Sequence, residues 1–156
     1  MSIRKDKLQS SKVGNITSLL LAADAKNGQV LVAGTPVVGE RELFNGVAPT
    51  DVLTQEILIL GSPEVLYERN QRIIDFVNKA NKPATGFSFA PSDIVTISDD
   101  VIDGASVKGK YLIAANGKTK LVPANDLTGG TRFAAEVIEK TKIYGQPATA
   151  FKVIKA

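Results

Sequence analysis

Residues 87–123 are FSFAPSDIVTISDDVIDGASVKGKYLIAANGKTKLVP, and they contain the clearest local structural signals in the chain. An apolar run at 111–113 leads to Asn116-Gly117, and a second apolar pair follows the turn. Asn-Gly between two apolar runs is typical of a two-residue β-hairpin turn, because both residues tolerate the positive φ that the turn needs. The β-branched run IVTI at 94–97 favours another strand. The stretch therefore predicts a β-rich unit with a hairpin at its end.

Apolar or alternating segments predict further strands on both sides of this unit. They are residues 13–23, 30–32, 37–38, 56–60, 86–90, 133–144 and 148–154. Asn27-Gly28 predicts a hairpin between the first two of these segments. The continuous apolar run at 56–60 predicts a strand that is buried on both faces, and 133–154 predicts a closing hairpin. The polar stretch Glu40–Asp51, broken by Gly46 and Pro49, predicts a long surface loop.

One helix is predicted, from about Pro63 to Lys79. Ser62 is a suitable N-cap, and proline suits the first helical position. Leu66, Ile73 and Val77 lie on one stripe of that helix, which predicts that they are buried against the sheet. About nine strands and one helix together predict a mainly β single domain of the barrel or sandwich kind.

The N-terminal residues 1–12 differ from the rest of the chain. Ile3 and Leu8 are isolated large apolar residues among polar and basic ones, which predicts a flexible, extended arm rather than a packed element. The expected division is therefore an arm at 1–12 and a β-rich domain at 13–156. The arm carries a net charge of +3, residues 13–107 carry −6, and residues 108–156 carry +6. Such asymmetry is typical of a surface that binds a partner, although a plain solvated surface is the alternative.

The composition limits the chemistry that the chain can perform. It has 156 residues, no cysteine and no histidine, so thiolate nucleophiles, disulfides and catalysis by a Ser-His-Asp triad are excluded. Asp99 and Asp100 invite a calcium interpretation, but the spacing of an EF-hand loop is absent and a capped turn fits better. No phosphate-binding or dinucleotide-binding glycine pattern occurs. Aromatic residues are not interspersed among the basic residues of the C-terminal strands, as binding of single-stranded nucleic acid would need. We expect no enzyme, no cofactor, no metal, no membrane span and no specific nucleic acid.

Several segments together resemble the capsid decoration, or cement, proteins of tailed bacteriophages. They are GQVLVAGTPVVGE at 28–40, SPEVLYERNQRIIDFVNKANKPATGFSFAPSDIVTIS at 62–98, KGKYLIAANGKTKLVPA at 108–124 and GGTRFAAEVIEKTKIYG at 129–145. The resemblance implies a virion structural protein, made in the host cytoplasm, that binds the outer surface of an assembled capsid and stabilises it. Its implied partners are the major capsid protein and further copies of the same chain, with a trimer favoured. The family brings no catalytic or ligand residues with it.

The basic side chains of the arm are the expected capsid-docking residues, namely Arg4, Lys5, Lys7 and Lys12. An arm of this kind contributes a weak contact that repetition across a lattice multiplies. Two alternatives remain open from the sequence. The chain could belong to another part of the virion, such as a tail or a fibre-base or adhesin module, or it could be a small β-barrel enzyme or ligand-binding protein.

Overall fold

The computed structural model describes residues 3–13, 16–66 and 72–156. Within these residues the chain forms eleven strands, one α-helix of four residues and two 3-10 helices. The strands are β1 (Ile3–Lys7), β2 (Ile16–Leu21), β3 (Val30–Pro36), β4 (Leu43–Val47), β5 (Leu58–Leu60), β6 (Pro83–Ser88), β7 (Ile94–Ser98), β8 (Tyr111–Ile113), β9 (Val122–Ala124), β10 (Ala134–Ile143) and β11 (Gln146–Lys155). The α-helix α1 is Ser10–Val13, and the 3-10 helices are Ile73–Asp75 and Asp99–Val101. The predicted mainly β class is confirmed, and the described residues contain a single α-helix, which is not at the predicted position.

Two β units make up the fold. A closed five-stranded barrel has the order β2-β4-β3-β5-β6, and a six-stranded sheet has the order β1-β7-β11-β10-β8-β9. In the barrel β2 and β4 run parallel, whereas the other pairs are antiparallel. The predicted barrel or sandwich architecture is therefore present as a barrel packed against a sheet.

Successive side chains of a barrel strand alternate between the barrel interior and its outer face, and on β3 both sides are buried. Leu31 on β3 points into the barrel with Leu19, Leu58 and Leu60 of other barrel strands. Val30 and Val32, on the same strand, point outward and join the larger core shared with the sheet. The expectation that the run at 56–60 is buried on both faces is confirmed, because Ile57, Leu58, Ile59 and Leu60 are all buried.

The N-terminal segment packs on the domain, contrary to the expectation of a flexible arm. Strand β1 pairs with β7 in antiparallel register, with Ile3 opposite Ile97. Ile3 is 4% exposed and Leu8 is fully buried. Although this segment has only two large apolar side chains, both enter the core that the barrel shares with the sheet. Polar contacts hold the residues that follow β1. The backbone N–H of Gln9 donates to Asp93 Oδ1 at 2.9 Å.

The helix predicted from Pro63 to Lys79 is wrong over the described residues. Residues 63–66 carry no helix, residues 72–79 contain only the 3-10 turn Ile73–Asp75, and 67–71 lie outside the described residues. The helix signals are overridden by tertiary hydrogen bonds. The Ser62 hydroxyl accepts from the Thr85 N–H at 2.9 Å instead of capping a helix, and Asn78 forms an isolated β-bridge with Ala25. Ile73, predicted to be buried, is 39% exposed.

The two Asn-Gly hairpins also differ from expectation. Strands β8 and β9 pair as predicted, but an eight-residue connection at 114–121 joins them. Gly117 has a φ of +75°, whereas Asn116 does not have positive φ. The Asn116 side chain accepts from the Val52 N–H at 3.0 Å, and Gly117 N–H donates to the Pro49 carbonyl at 2.7 Å. Asn116 and Gly117 still form the centre of a turn, because the Lys118 N–H donates to the Ala115 carbonyl at 3.1 Å. This turn lies within the longer connection and does not join the two strands directly.

Strands β2 and β3 do not pair with each other, because β4 lies between them in the barrel. Strand β4 occupies part of the stretch 40–51 that was predicted as a loop, and its polar and glycine residues gave no strand signal. The closing hairpin of β10 and β11 is confirmed, with Ile143 opposite Gln146. Tyr144 and Gly145 form its two-residue turn, with φ values of +47° and +79°.

Candidate partner-binding surface

Three of the predicted docking residues lie on β1, at one edge of the six-stranded sheet, and Lys12 lies on α1, which contacts the barrel strand β6. Arg4, Lys7 and Lys12 are exposed. Arg4 lies 3.9 Å from the Asp6 carboxylate, a surface pair that contributes little to stability. The structure therefore leaves three of the four basic side chains in contact with water, two of them on the β1 edge.

Lys5 differs from the other three because it packs on the barrel of its own domain. Its ammonium lies 4.2 Å from the centroid of the Phe87 ring and donates to the Gly61 carbonyl. Partial burial lowers the pKa of Lys5, while the nearby Glu64 carboxylate acts in the opposite direction. Lys5 thus anchors β1 to the barrel, and its charge is directed inward.

Strand β1 pairs with β7 on one side only, within the part of the chain that the structure describes. Its other edge presents backbone N–H and C=O groups that have no strand partner there. The opposite edge of the sheet is β9, which has only three residues and includes Pro123. Because proline removes a donor and short strands offer few bonds, β9 is a poor template for strand addition, whereas β1 is a better one.

A second polar cluster, which the sequence did not indicate, joins β10, β11 and the 3-10 helix after β7. The Lys140 ammonium donates to Asp99 Oδ2 at 2.6 Å, to Thr149 Oγ1 at 2.7 Å and to Ser106 Oγ at 2.8 Å. Thr149 in turn lies 2.6 Å from Asp99 Oδ1, and Ser106 lies 2.6 Å from Thr149. No sequence spacing brings these four residues together, since they come from three separate elements and a loop.

The hydrogen-bond donors of this cluster are all used within it, so it is not arranged for nucleophilic catalysis. A lysine that activates a serine needs a free electron pair on its nitrogen, as in Ser-Lys hydrolases. Here all three donors of Lys140 are used, and Ser106 and Thr149 can donate onward to Thr149 and Asp99 respectively. The arrangement is that of a clamp, which holds the long hairpin against residues 99–106. Asp99 was interpreted above as part of a capped turn, and it serves this clamp.

Beside the clamp, a cleft of about 420 Å³ lies between residues 98–100, the start of β11 and residues 72–75. Its charged side chains are paired, with Lys26 bonded to Asp100 at 2.6 Å and Arg72 to Asp75 at 3.0 Å. Partial burial acts to raise the pKa of Asp100, but hydrogen bonds from Lys26 and Ser98 outweigh it and hold the pKa below its ordinary value. Among the described residues, no group of three or more acidic side chains could hold a metal ion.

Comparisons with protein-family models, with curated proteins and with solved structures found no match to this chain. Among the described residues, no helix is long and apolar enough to cross a membrane.

Proposed function

We propose that this chain is a capsid decoration protein, which attaches to the outer surface of an assembled tailed-phage capsid and stabilises the shell. The sequence resemblance supports the class of protein. One structural observation carries the proposal: β1 has an edge without a strand partner among the described residues, and it carries the exposed cations Arg4 and Lys7. A sheet edge of this kind can bond to a strand of a neighbouring protein.

The anchoring of β1 favours a docking surface that is already formed before binding. Ile3, Lys5 and Leu8 fix the strand to the domain from one side, so Arg4 and Lys7 project from a held backbone. Binding to a preformed strand costs less conformational entropy than ordering a flexible arm. The docking contact proposed here is therefore strand addition, supplemented by charge.

Electrostatics supports the same surface. Arg4, Lys7 and Lys12 would meet acidic side chains of the shell, and such exposed contacts weaken as salt shortens the screening length to about 10 Å and below. Each contact is individually weak, but attachment of an oligomer at several points of a lattice raises the total affinity.

The test is co-sedimentation of purified protein with capsids assembled from the major capsid protein of the same virus. We expect wild-type protein to pellet with the capsids, and to pellet less at higher salt. The triple variant Arg4→Ser, Lys7→Ser, Lys12→Ser should bind at least about tenfold more weakly, which corresponds to about 1.4 kcal/mol.

The matched control removes three exposed charges from the basic C-terminal strands, as Lys142→Ser, Lys152→Ser, Lys155→Ser. It should bind as wild type does. A control that loses binding while the β1 variant keeps it would move the docking surface to the C-terminal strands. No attachment of the wild type, or labelling of tails instead of heads in negative stain, would overturn the proposal.

A further inference from the structure

The ribbon of β3 and β4 ends in an exposed apolar tip. Val38 is 100% exposed at this tip. The tip is a defined turn, because Glu40 N–H donates to the Val37 carbonyl at 3.1 Å and Val37 N–H donates to the Leu43 carbonyl at 2.9 Å. Gly39, with a φ of +86°, provides the left-handed residue that the turn needs. The tip therefore presents a valine to solvent on a fixed backbone.

The other end of the same ribbon lines an apolar groove of about 350 Å³. Leu21 and Leu31, both part of the barrel core, form its floor, and Ala22, Ala23 and Val47 are exposed side chains that line it. The groove is large enough for more than one aliphatic side chain. Its small alanine side chains leave the floor open to a projecting residue.

The tip cannot reach the groove of its own chain. Leu31 and Val47 lie near the groove end of the ribbon, whereas Val38 lies beyond the last residue of β3. Strand residues advance by about 3.3 Å each, so the ribbon separates the two features by roughly 15–20 Å. An apolar knob and an apolar groove at opposite ends of one rigid ribbon fit each other only between two molecules.

Charge matches across this contact as well. The tip continues into Glu40, Arg41 and Glu42, which are exposed and form no ion pair within the described part of the chain. The groove rim carries an ion pair of Asp24 with Lys79 at 2.9 Å, whose side chains are 49% and 66% exposed. Arg41 can approach Asp24, and the flanking glutamates can approach Lys79. The tip and the rim therefore both carry charges of either sign, which permits opposite charges to meet when the two features are brought together.

We propose that the Val38 tip of one copy inserts into the Leu21–Leu31 groove of a second copy. The contact is head-to-tail, since each molecule contributes its tip to one neighbour and its groove to another. Repeated contacts of this type form a ring where the rotation closes, and an open chain where it does not. The inference concerns contacts between copies and stands apart from the proposed capsid attachment.

The test measures the mass of the full chain by sedimentation velocity over a range of protein concentrations. The wild type should reach a multiple of the 16.5 kDa chain mass. Val38→Asp, which places a charge in the apolar contact, should weaken self-association at least about tenfold, and Ala23→Trp, which fills the groove, should do the same. Val107→Asp, at a 56% exposed valine outside both features, is the matched control and should assemble as wild type.

Mixing the two disrupted variants gives the sharpest result. Val38→Asp keeps an intact groove and Ala23→Trp keeps an intact tip, so an equimolar mixture should form a two-chain complex and nothing larger. A wild type that stays monomeric at every concentration would overturn the proposal. So would a Val38→Asp variant that assembles normally, or a mixture in which the variants remain apart.

Discussion

The β1 edge and the β3–β4 tip are both exposed, but they are built in opposite ways. The edge offers backbone groups and the cations Arg4 and Lys7, and its strand is anchored by buried residues. The tip offers one fully exposed side chain, Val38, on a turn held by two backbone hydrogen bonds. The first surface suits a polar, salt-sensitive contact, whereas the second centres on an apolar side chain, so that salt weakens only the charge pairs that flank it. Salt should therefore weaken attachment to a shell more than contact between copies.

The largest expected contrast is in stability. Leu8→Ala removes a fully buried side chain next to the β1 edge, so we expect it to lower the free energy of unfolding by about 2–5 kcal/mol. Val38→Ala removes a fully exposed side chain and should change it by less than about 0.5 kcal/mol. Denaturant unfolding of both variants checks this contrast. A loss below about 1 kcal/mol for Leu8→Ala would mean that the segment around β1 is not part of the domain core.

The clamp beneath the long hairpin gives the next effect. Thr149→Val removes a hydroxyl that contacts Asp99, Lys140 and Ser106, at a residue that is fully buried. We expect a loss of about 1–3 kcal/mol, because the remaining polar groups lose a buried partner. Self-association should stay unchanged, since the clamp lies away from the tip and the groove. Thr141→Val, on the same hairpin and only partly buried, is the control and should cost much less; equal losses in thermal melting would refute the clamp.

Substitutions at two glycines test whether the turn that presents Val38 is needed for self-association. Gly39 and Gly117 both have positive φ, and a side chain added at either position would meet no atom within 4 Å. Alanine at each should therefore cost about 1 kcal/mol through backbone strain alone. Gly39→Ala should also weaken self-association, because it distorts the turn that presents Val38, whereas Gly117→Ala should not. Equal effects of the two variants on the sedimentation coefficient would contradict a role for the turn.

The smallest effect concerns the groove rim. The Ala80 N–H and the Lys79 ammonium hold the pKa of Asp24 below its ordinary value. A carboxyl with a lowered pKa stabilises the fold above its unfolded pKa, and this contribution disappears as the pH falls through the folded value. Asp24→Asn should thus melt below the wild type at neutral pH. The difference should shrink as the pH is lowered below about 4, the ordinary range of Asp; a constant difference would contradict the assignment.

The sequence predicted those parts of the fold that depend on local apolar patterns. The strand of Phe87 and the closing hairpin follow from period-two alternation, and the strand buried on both faces follows from the continuous apolar run at 56–60. The predicted helix failed because the bonds of Ser62 and Asn78 to distant residues outweigh local helix signals. Strand β1 could not be predicted from local sequence, because its partner β7 lies some ninety residues away. The core that buries Ile3 and Leu8 is likewise formed by distant residues.

The candidate surfaces were only partly predictable. The basic residues at 4, 7 and 12 were predictable as exposed charges from the sequence. The packing of Lys5 on its own domain was not, because it depends on Phe87 and Gly61, which no local pattern connects to Lys5. The clamp of Lys140 likewise requires four residues that only the tertiary fold assembles. The apolar pair at 37–38 predicts a short strand, but Val38 lies in a turn instead. Its full exposure follows from the turn at Gly39.

Amide hydrogen exchange of β1, free and bound to capsids, shows whether this strand is the docking surface. We expect the amides of residues 3–7 that do not bond to β7 to exchange quickly in the free protein and to become protected on the capsid. The amides of the tip at 38–42 should not change further on attachment. Stoichiometric attachment with no added protection at residues 3–7 would contradict docking through the β1 edge.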